Sequence, residues 1–207
     1  MEQLAPAPSN RMTVEEYLAF EEVAAQRHEY HDGEVLAMAG TTEEHSGVSF
    51  NLNAALHTGL RGKPCRGHGS DLKVWVGESN RFLYPDALVI CGETQYAPQD
   101  KNHTLITNPT LVVEILSEST AEFDRTEKFS FYRMLPSLRE YVLVAQNRAA
   151  IDTFFRDDDG TWRFDASLGL DAVARFRSID VQVKLADVYD GIPLPDPATL
   201  EPKPDDA

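Results

Sequence analysis

The sequence predicts an α/β chain of the α+β kind, with a mixed central β-sheet, flanking helices and an additional N-terminal β-hairpin. Three observations carry that expectation. Two apolar runs of strand length, residues 82–90 and 109–116, are separated by a polar stretch. Helical periodicity with start signals precedes and follows them. An Asp32-Gly33 pair joins two short β-type segments. Each apolar run also carries one carboxylate, Asp86 in the first and Glu114 in the second. A charge in a buried strand is costly unless it is paired or holds a metal, so both placements call for a shared cause.

Residues 1–11 read as a flexible lead-in, 12–190 as one domain and 191–207 as a Pro-rich acidic tail. Thr13-Val14-Glu15-Glu16 has the capping-box pattern, and a helix is expected to about residue 27. Residues 28–38 form the hairpin, with Glu29 near its start. Thr41 or Thr42 caps the next helix, which carries His45 in its first turn. Val48, Leu52, Ala55, Leu56 and Leu60 recur at helical steps until Gly62-Lys63-Pro64 ends it. Residues 65–68 and 71–76 are further strand pieces before the turn at 77–80. Residues 92–108 form a long polar loop, the kind that tends to be functional or mobile. After the Glu114 strand, Ser117-Glu118-Ser119-Thr120 opens a helix over 121–134. On it Asp124, Lys128 and Tyr132 fall on one face at four-residue steps. Strands follow at 140–144, 150–156, 161–164, 174–176 and 181–185, with a hairpin turn at 157–160 and a short helical piece through Val188.

The 207 residues are 42% hydrophobic and 26% charged, ordinary values for a globular chain. The net charge of −15 disfavours diffuse attraction to nucleic acid or to an anionic membrane, although part of it lies in the tail. No run reaches the roughly 20 apolar residues of a membrane span, and the N-terminus lacks a secretory pattern, so a cytoplasmic protein without membrane association is expected. Cys65 and Cys91 have neither metal-ligand spacing nor the density of a disulfide scaffold, and reduced core thiols are the expectation.

Two acids on neighbouring strands and a nearby lysine form a minimal kit for in-line phosphodiester cleavage. Hard cations take oxygen ligands, and Mg²⁺ in particular binds through one or two carboxylates plus substrate phosphate. At these residues the chain resembles the PD-(D/E)XK nuclease superfamily, and within it the Uma-type restriction endonuclease branch. Pro85-Asp86 and Glu114-Ile115-Leu116 match its motif, except that Leu116 stands where the motif has lysine. Lys128, in the following helix, matches the substitute lysine of that branch. Thr13 to Tyr17, the Glu29 to Glu34 hairpin, His45, Ser70-Asp71-Leu72 and residues 136–144 also match, so the likeness runs over about residues 12–190.

The resemblance implies a restriction-endonuclease-like fold and a Mg²⁺-dependent DNA endonuclease, with Mn²⁺ as an alternative ion. Asp86 and Glu114 would hold the metal, and Lys128 would orient water and stabilise the transition state. Glu29 would be a further ligand or base, and His45 a substrate-phosphate contact. Cleavage of a duplex needs two sites, which points to a homodimer. Each residue also has a plainer reading: Asp86 as a turn residue, Glu114 on a solvated strand face, Lys128 paired only with Asp124, Glu29 as an ordinary hairpin residue, and His45 as a first-turn polar residue. The alternative function is a catalytically inactive nuclease-fold interaction module, which the acidic charge favours.

Overall fold

The computed structural model describes residues 11–195 except 39, 101, 118 and 119. Most of the expected lead-in and tail, together with Glu118 and Ser119 of the helix-opening motif, therefore lies outside the described residues. The first helix, α1 (Val14–Val23), has the expected capping box, Thr13 and Glu16 each bonding to the other's backbone N–H. Strands β1 (His28–His31) and β2 (Glu34–Ala37) make the hairpin, with Asp32 and Gly33 at positive φ as a two-residue turn requires. Helix α2 (Glu43–Gly59) starts at Thr42, whose hydroxyl accepts the His45 N–H.

The sequence expectation of one strand over 82–90 is corrected. The run is two strands, β5 (Arg81–Leu83) and β6 (Ala87–Cys91), broken at Tyr84-Pro85-Asp86. Proline has no N–H for a ladder, and here the chain leaves one sheet for another. Strand β5 lies in a five-stranded sheet, β2-β1-β5-β4-β7, with β4 at Lys73–Val76 and β7 at Leu105–Ile106. The hairpin is thus the margin of a second sheet, and the loop at 92–108 supplies a strand of its own. Strand β6 lies in a six-stranded sheet, β11-β10-β9-β8-β6-β3. Its other members are β3 (Cys65–Gly69), β8 (Leu111–Leu116), β9 (Glu140–Ala145), β10 (Ala150–Arg156) and β11 (Trp162–Leu168). Only β8 and β9 run parallel within it.

Alternation along β8 divides the molecule into layers. Leu111, Val113 and Ile115 pack with Val48, Leu52 and Leu56 of α2 on one face. The same core takes in β12 (Val173–Phe176), β13 (Val181–Lys184) and the short α5 (Leu185–Val188). Val112 and Leu116 face the other way, toward Tyr132 and toward Val74, Val76 and Leu83 of the smaller sheet. Glu114 lies on that second face by the two-residue period of a strand. The expected helix over 121–134 is present as α3 (Ala121–Phe123), a π-helical turn (Asp124–Lys128) and α4 (Phe129–Tyr132).

The expectation of reduced thiols is also corrected, because Cys65 and Cys91 form a disulfide. The physical reason is register: β3 and β6 pair antiparallel with these two residues directly opposite. A separation of 26 residues in sequence conceals that proximity.

Candidate active site at the seam between two sheets

The ammonium of Lys128 lies where the two sheets meet. Its Nζ is 3.1 Å from Glu29 Oε1, 3.1 Å from Glu114 Oε1 and 3.6 Å from Asp124 Oδ1. Glu29 comes from the smaller sheet, Glu114 from the larger one, and Asp124 from the same π-helical turn as Lys128. All four are buried. A π turn changes the facing of successive residues and often marks functional positions. Here it keeps Asp124 and Lys128 turned inward together. The helix-borne lysine therefore reaches the strand carboxylate, while Leu116, at the usual lysine position, belongs to the apolar core.

Each acid is held by further partners. Glu29 Oε1 also accepts the Tyr84 N–H at 3.0 Å, and Oε2 lies 3.1 Å from His31 Nε2. His31 stacks on Phe123 and meets Phe131 edge-on. The hydroxyl of Tyr132 donates to Glu114 Oε1 at 3.1 Å. Asp86, released from the strand by Pro85, accepts the Ile115 N–H on Oδ2 at 2.7 Å, and its Oδ1 lies 3.0 Å from His45 Nε2. The β6–β8 register pairs Ala87 with Val113, which brings Asp86 alongside Glu114. Glu29, His45, Asp86, Glu114, Asp124 and Lys128 line one cleft of about 1480 Å³. The structure thus brings together all five residues singled out from sequence.

The electrostatics are lopsided. Burial raises the Glu114 carboxyl well above its ordinary range, with Asp124, Asp86 and Glu29 adding to the effect and Lys128 offsetting it in part. Burial opposes charge on Lys128, yet Glu114, Glu29 and Asp124 reverse this and hold its ammonium well above the ordinary value. For Glu29, burial acts upward, but Lys128 and the His31 and Tyr84 hydrogen bonds prevail and lower it to about 2. Asp124 is raised by burial, and its Oδ1 has no hydrogen-bond partner. His45 is raised, because Asp86 outweighs the burial that opposes its charge.

A divalent ion fits this donor set. Four carboxylates face one ammonium and two imidazoles, the donors are oxygen, and one buried oxygen, Asp124 Oδ1, has no hydrogen bond and only the ion pair with Lys128 at 3.6 Å. Among the described residues no three side chains form a ready-made metal cage. Asp86 and Glu114 are the oxygen donors that an ion such as Mg²⁺, which binds through one or two carboxylates and keeps several waters, would use.

The sequence places Asp124 on one helix face with Lys128 and offers the pair as the plainer reading, but does not assign Asp124 to the site. Sequence reasoning missed His31 and Tyr132 as partners of the acids. His31 is two residues from Glu29, the spacing of one strand face. Nothing in the sequence marks the backbone N–H groups of Tyr84 and Ile115 as partners of Glu29 and Asp86.

The comparisons with known proteins bear on the family and the fold. A family model, Uma2, described as "Putative restriction endonuclease", matches residues 14–184. Two relatives from Synechocystis sp. are both uncharacterized proteins. The first, sll1609, is 34% identical over 170 residues, covering 82% of this chain and 95% of its own length. The second, slr1290, is 39% identical over 157 residues, covering 75% of this chain and 80% of its own. The crystal structure of "a putative nuclease belonging to DUF820" from Anabaena variabilis superposes with a TM-score of 0.69 at 14% identity, over 86% of this chain and 97% of that one. That likeness establishes a shared restriction-endonuclease-like fold. On a match that spans most of its length, this chain belongs to the Uma2 family.

Proposed function

We propose that the chain is a metal-dependent endonuclease that hydrolyses DNA phosphodiester bonds at the seam between its two sheets, working as a homodimer so that both strands of a duplex meet a site. The observation that carries this reading is the placement of Lys128, within 3.1 Å of acids from both sheets and in one cleft with Asp86. Asp86 and Glu114 are the residues that would hold Mg²⁺ or Mn²⁺. Bound there, the ion would acidify a water and offset charge on the scissile phosphate.

The chain's own groups do the rest. Lys128 keeps a fixed positive charge beside the reacting phosphate, and because three carboxylates locate it, no reorganisation is needed when charge develops. Glu29, ionised and with both oxygens engaged, serves this proposal better as the anchor of Lys128 than as a free base. The Ile115 N–H and His45 fix both oxygens of Asp86, and His45, biased toward its charged form, faces the cleft where a phosphate would lie.

Titration of Mn²⁺ into the protein, followed by plasmid nicking with Mg²⁺, tests the proposal. Saturable binding and cleavage, both lost in Glu114→Ala, are expected. No Mn²⁺ binding even at about millimolar metal, where a site of useful affinity would be filled, would return the interaction-module reading.

A further inference from the structure

The outer edge of β11 has no partner among the described residues, since β11 ends the six-stranded order. Unpaired edges invite pairing with another chain, and proteins usually blunt them by shortness, charged side chains (lysine above all), proline or bulges. At seven residues β11 is as long as any strand here, carries neither Lys nor Pro, and exposes Phe164 at 60% and Leu168 at 67%. The opposite edge, β3, is shorter and contains Gly67 and Gly69, which weaken a strand.

The register of the hairpin decides which groups are free. Asp157 N–H bonds to Thr161 O, and Gly169 N–H to Ala149 O, so odd-numbered residues of β11 spend their backbone groups on β10. The N–H and C=O groups of Trp162, Phe164, Ala166 and Leu168 therefore point outward. Antiparallel pairing with a second copy must match these even-numbered residues with one another. That requirement places a two-fold axis on a residue rather than between residues.

We propose that two copies of this chain join edge to edge along β11, with the two-fold axis through Phe164. In this register Arg163 lies opposite Asp165 of the second copy, twice by symmetry, and the two Phe164 rings meet on the axis. An axis one residue earlier sets Arg163 against Arg163, and one residue later Asp165 against Asp165; like charges directly opposite disfavour both. Arg163, Phe164 and Asp165 are thus self-complementary about Phe164, which selects a second copy over an unrelated extended peptide. The charges are also preset. Arg163 is ion-paired with Asp157, Asp165 lies 4.0 Å from Arg177, and both remain largely exposed. Phe164 already packs on Phe154 at 5.2 Å.

The pairing gives a surface to the homodimer of the proposed function, yet it depends on self-association and not on the chemistry of the cleft. An active monomer overturns the pairing and the homodimer clause of the proposed function while leaving the nuclease reading standing, and an inactive dimer overturns the nuclease reading alone.

The test is sedimentation equilibrium of the full chain. Wild type is expected at twice the 23.1 kDa chain mass. Arg163→Asp and Asp165→Arg should each weaken self-association by about tenfold or more, because each sets like charges opposite twice. An equimolar mixture of the two variants should recover the dimer, since each then meets its complement. Phe164→Cys should cross-link to its own copy on oxidation. A monomeric wild type, single variants that associate as wild type does, or a mixture that stays monomeric would each overturn the proposal, as would a Phe164→Cys protein that does not cross-link.

Discussion

Glu114 and Glu140 are buried glutamates on neighbouring parallel strands, facing opposite sides of the same sheet, and they meet the cost of burial in different ways. Glu140 receives the N–H groups of Arg177 and Ser178 and the Ser178 hydroxyl at 2.7–3.0 Å. Burial raises its pKa, with those hydrogen bonds pulling it back. It latches the turn between β12 and β13 onto β9. Glu114 has a lysine, a tyrosine and three more acids around it, and a cleft in front. A buried carboxylate is therefore no sign of function by itself. Backbone donors make it a strut, whereas competing acids beside an opening leave it unsettled and facing a cleft.

Four substitutions or titrations would break or sharpen that contrast. Glu114→Ala should cut the cleavage rate by about 10³-fold or more, because the ion that would offset charge on the phosphate loses one of its two carboxylates, while leaving the fold intact by circular dichroism. Lys128→Met should abolish cleavage too, and should also lower unfolding free energy by about 3–5 kcal/mol in urea titration, because it strands Glu29 and Glu114 without their cation. Glu140→Ala should do the reverse of Glu114→Ala. Two stranded N–H groups should cost about 2–4 kcal/mol in the same titration, while cleavage per folded molecule stays at the wild-type rate. If Glu140→Ala is as inactive as Glu114→Ala, the contrast fails.

The smallest effect is in pH. Glu29 has a folded pKa of about 2 against an ordinary value of 4.5, so the unfolded chain binds more protons between those values. Its stabilisation is complete above about pH 4.5 and is lost as pH falls through about 2. Denaturation midpoints between pH 7 and pH 2 should drop more steeply for wild type than for Glu29→Gln across that window.

Much of this was legible in the chain because local chemistry and tertiary structure agree. The Thr13 box, the Asp32-Gly33 turn and the Thr42 cap each specify their element within a few residues. Asp86, Glu114 and Lys128 stood out because charge interrupts apolar periodicity or repeats along one helix face. The break at Pro85 was harder, since the apolar run is continuous and only the transfer between sheets divides it. Glu140 sits at the head of an equally apolar strand, but its partners come 37 residues later and are backbone groups that no side-chain pattern reveals. Cys65 and Cys91 were misjudged for a related reason: their meeting depends on the register of two strands separated by a turn, a second sheet and a crossing between them.

The crossing at Tyr84-Pro85-Asp86 has a mechanical side. Glu29 accepts the Tyr84 N–H on the near side of that crossing and Asp86 accepts the Ile115 N–H on the far side, while Lys128 clasps an acid from each flank. The two sheets are thus tied across one short segment of chain, and a single ammonium on the next helix holds an acid from each of them.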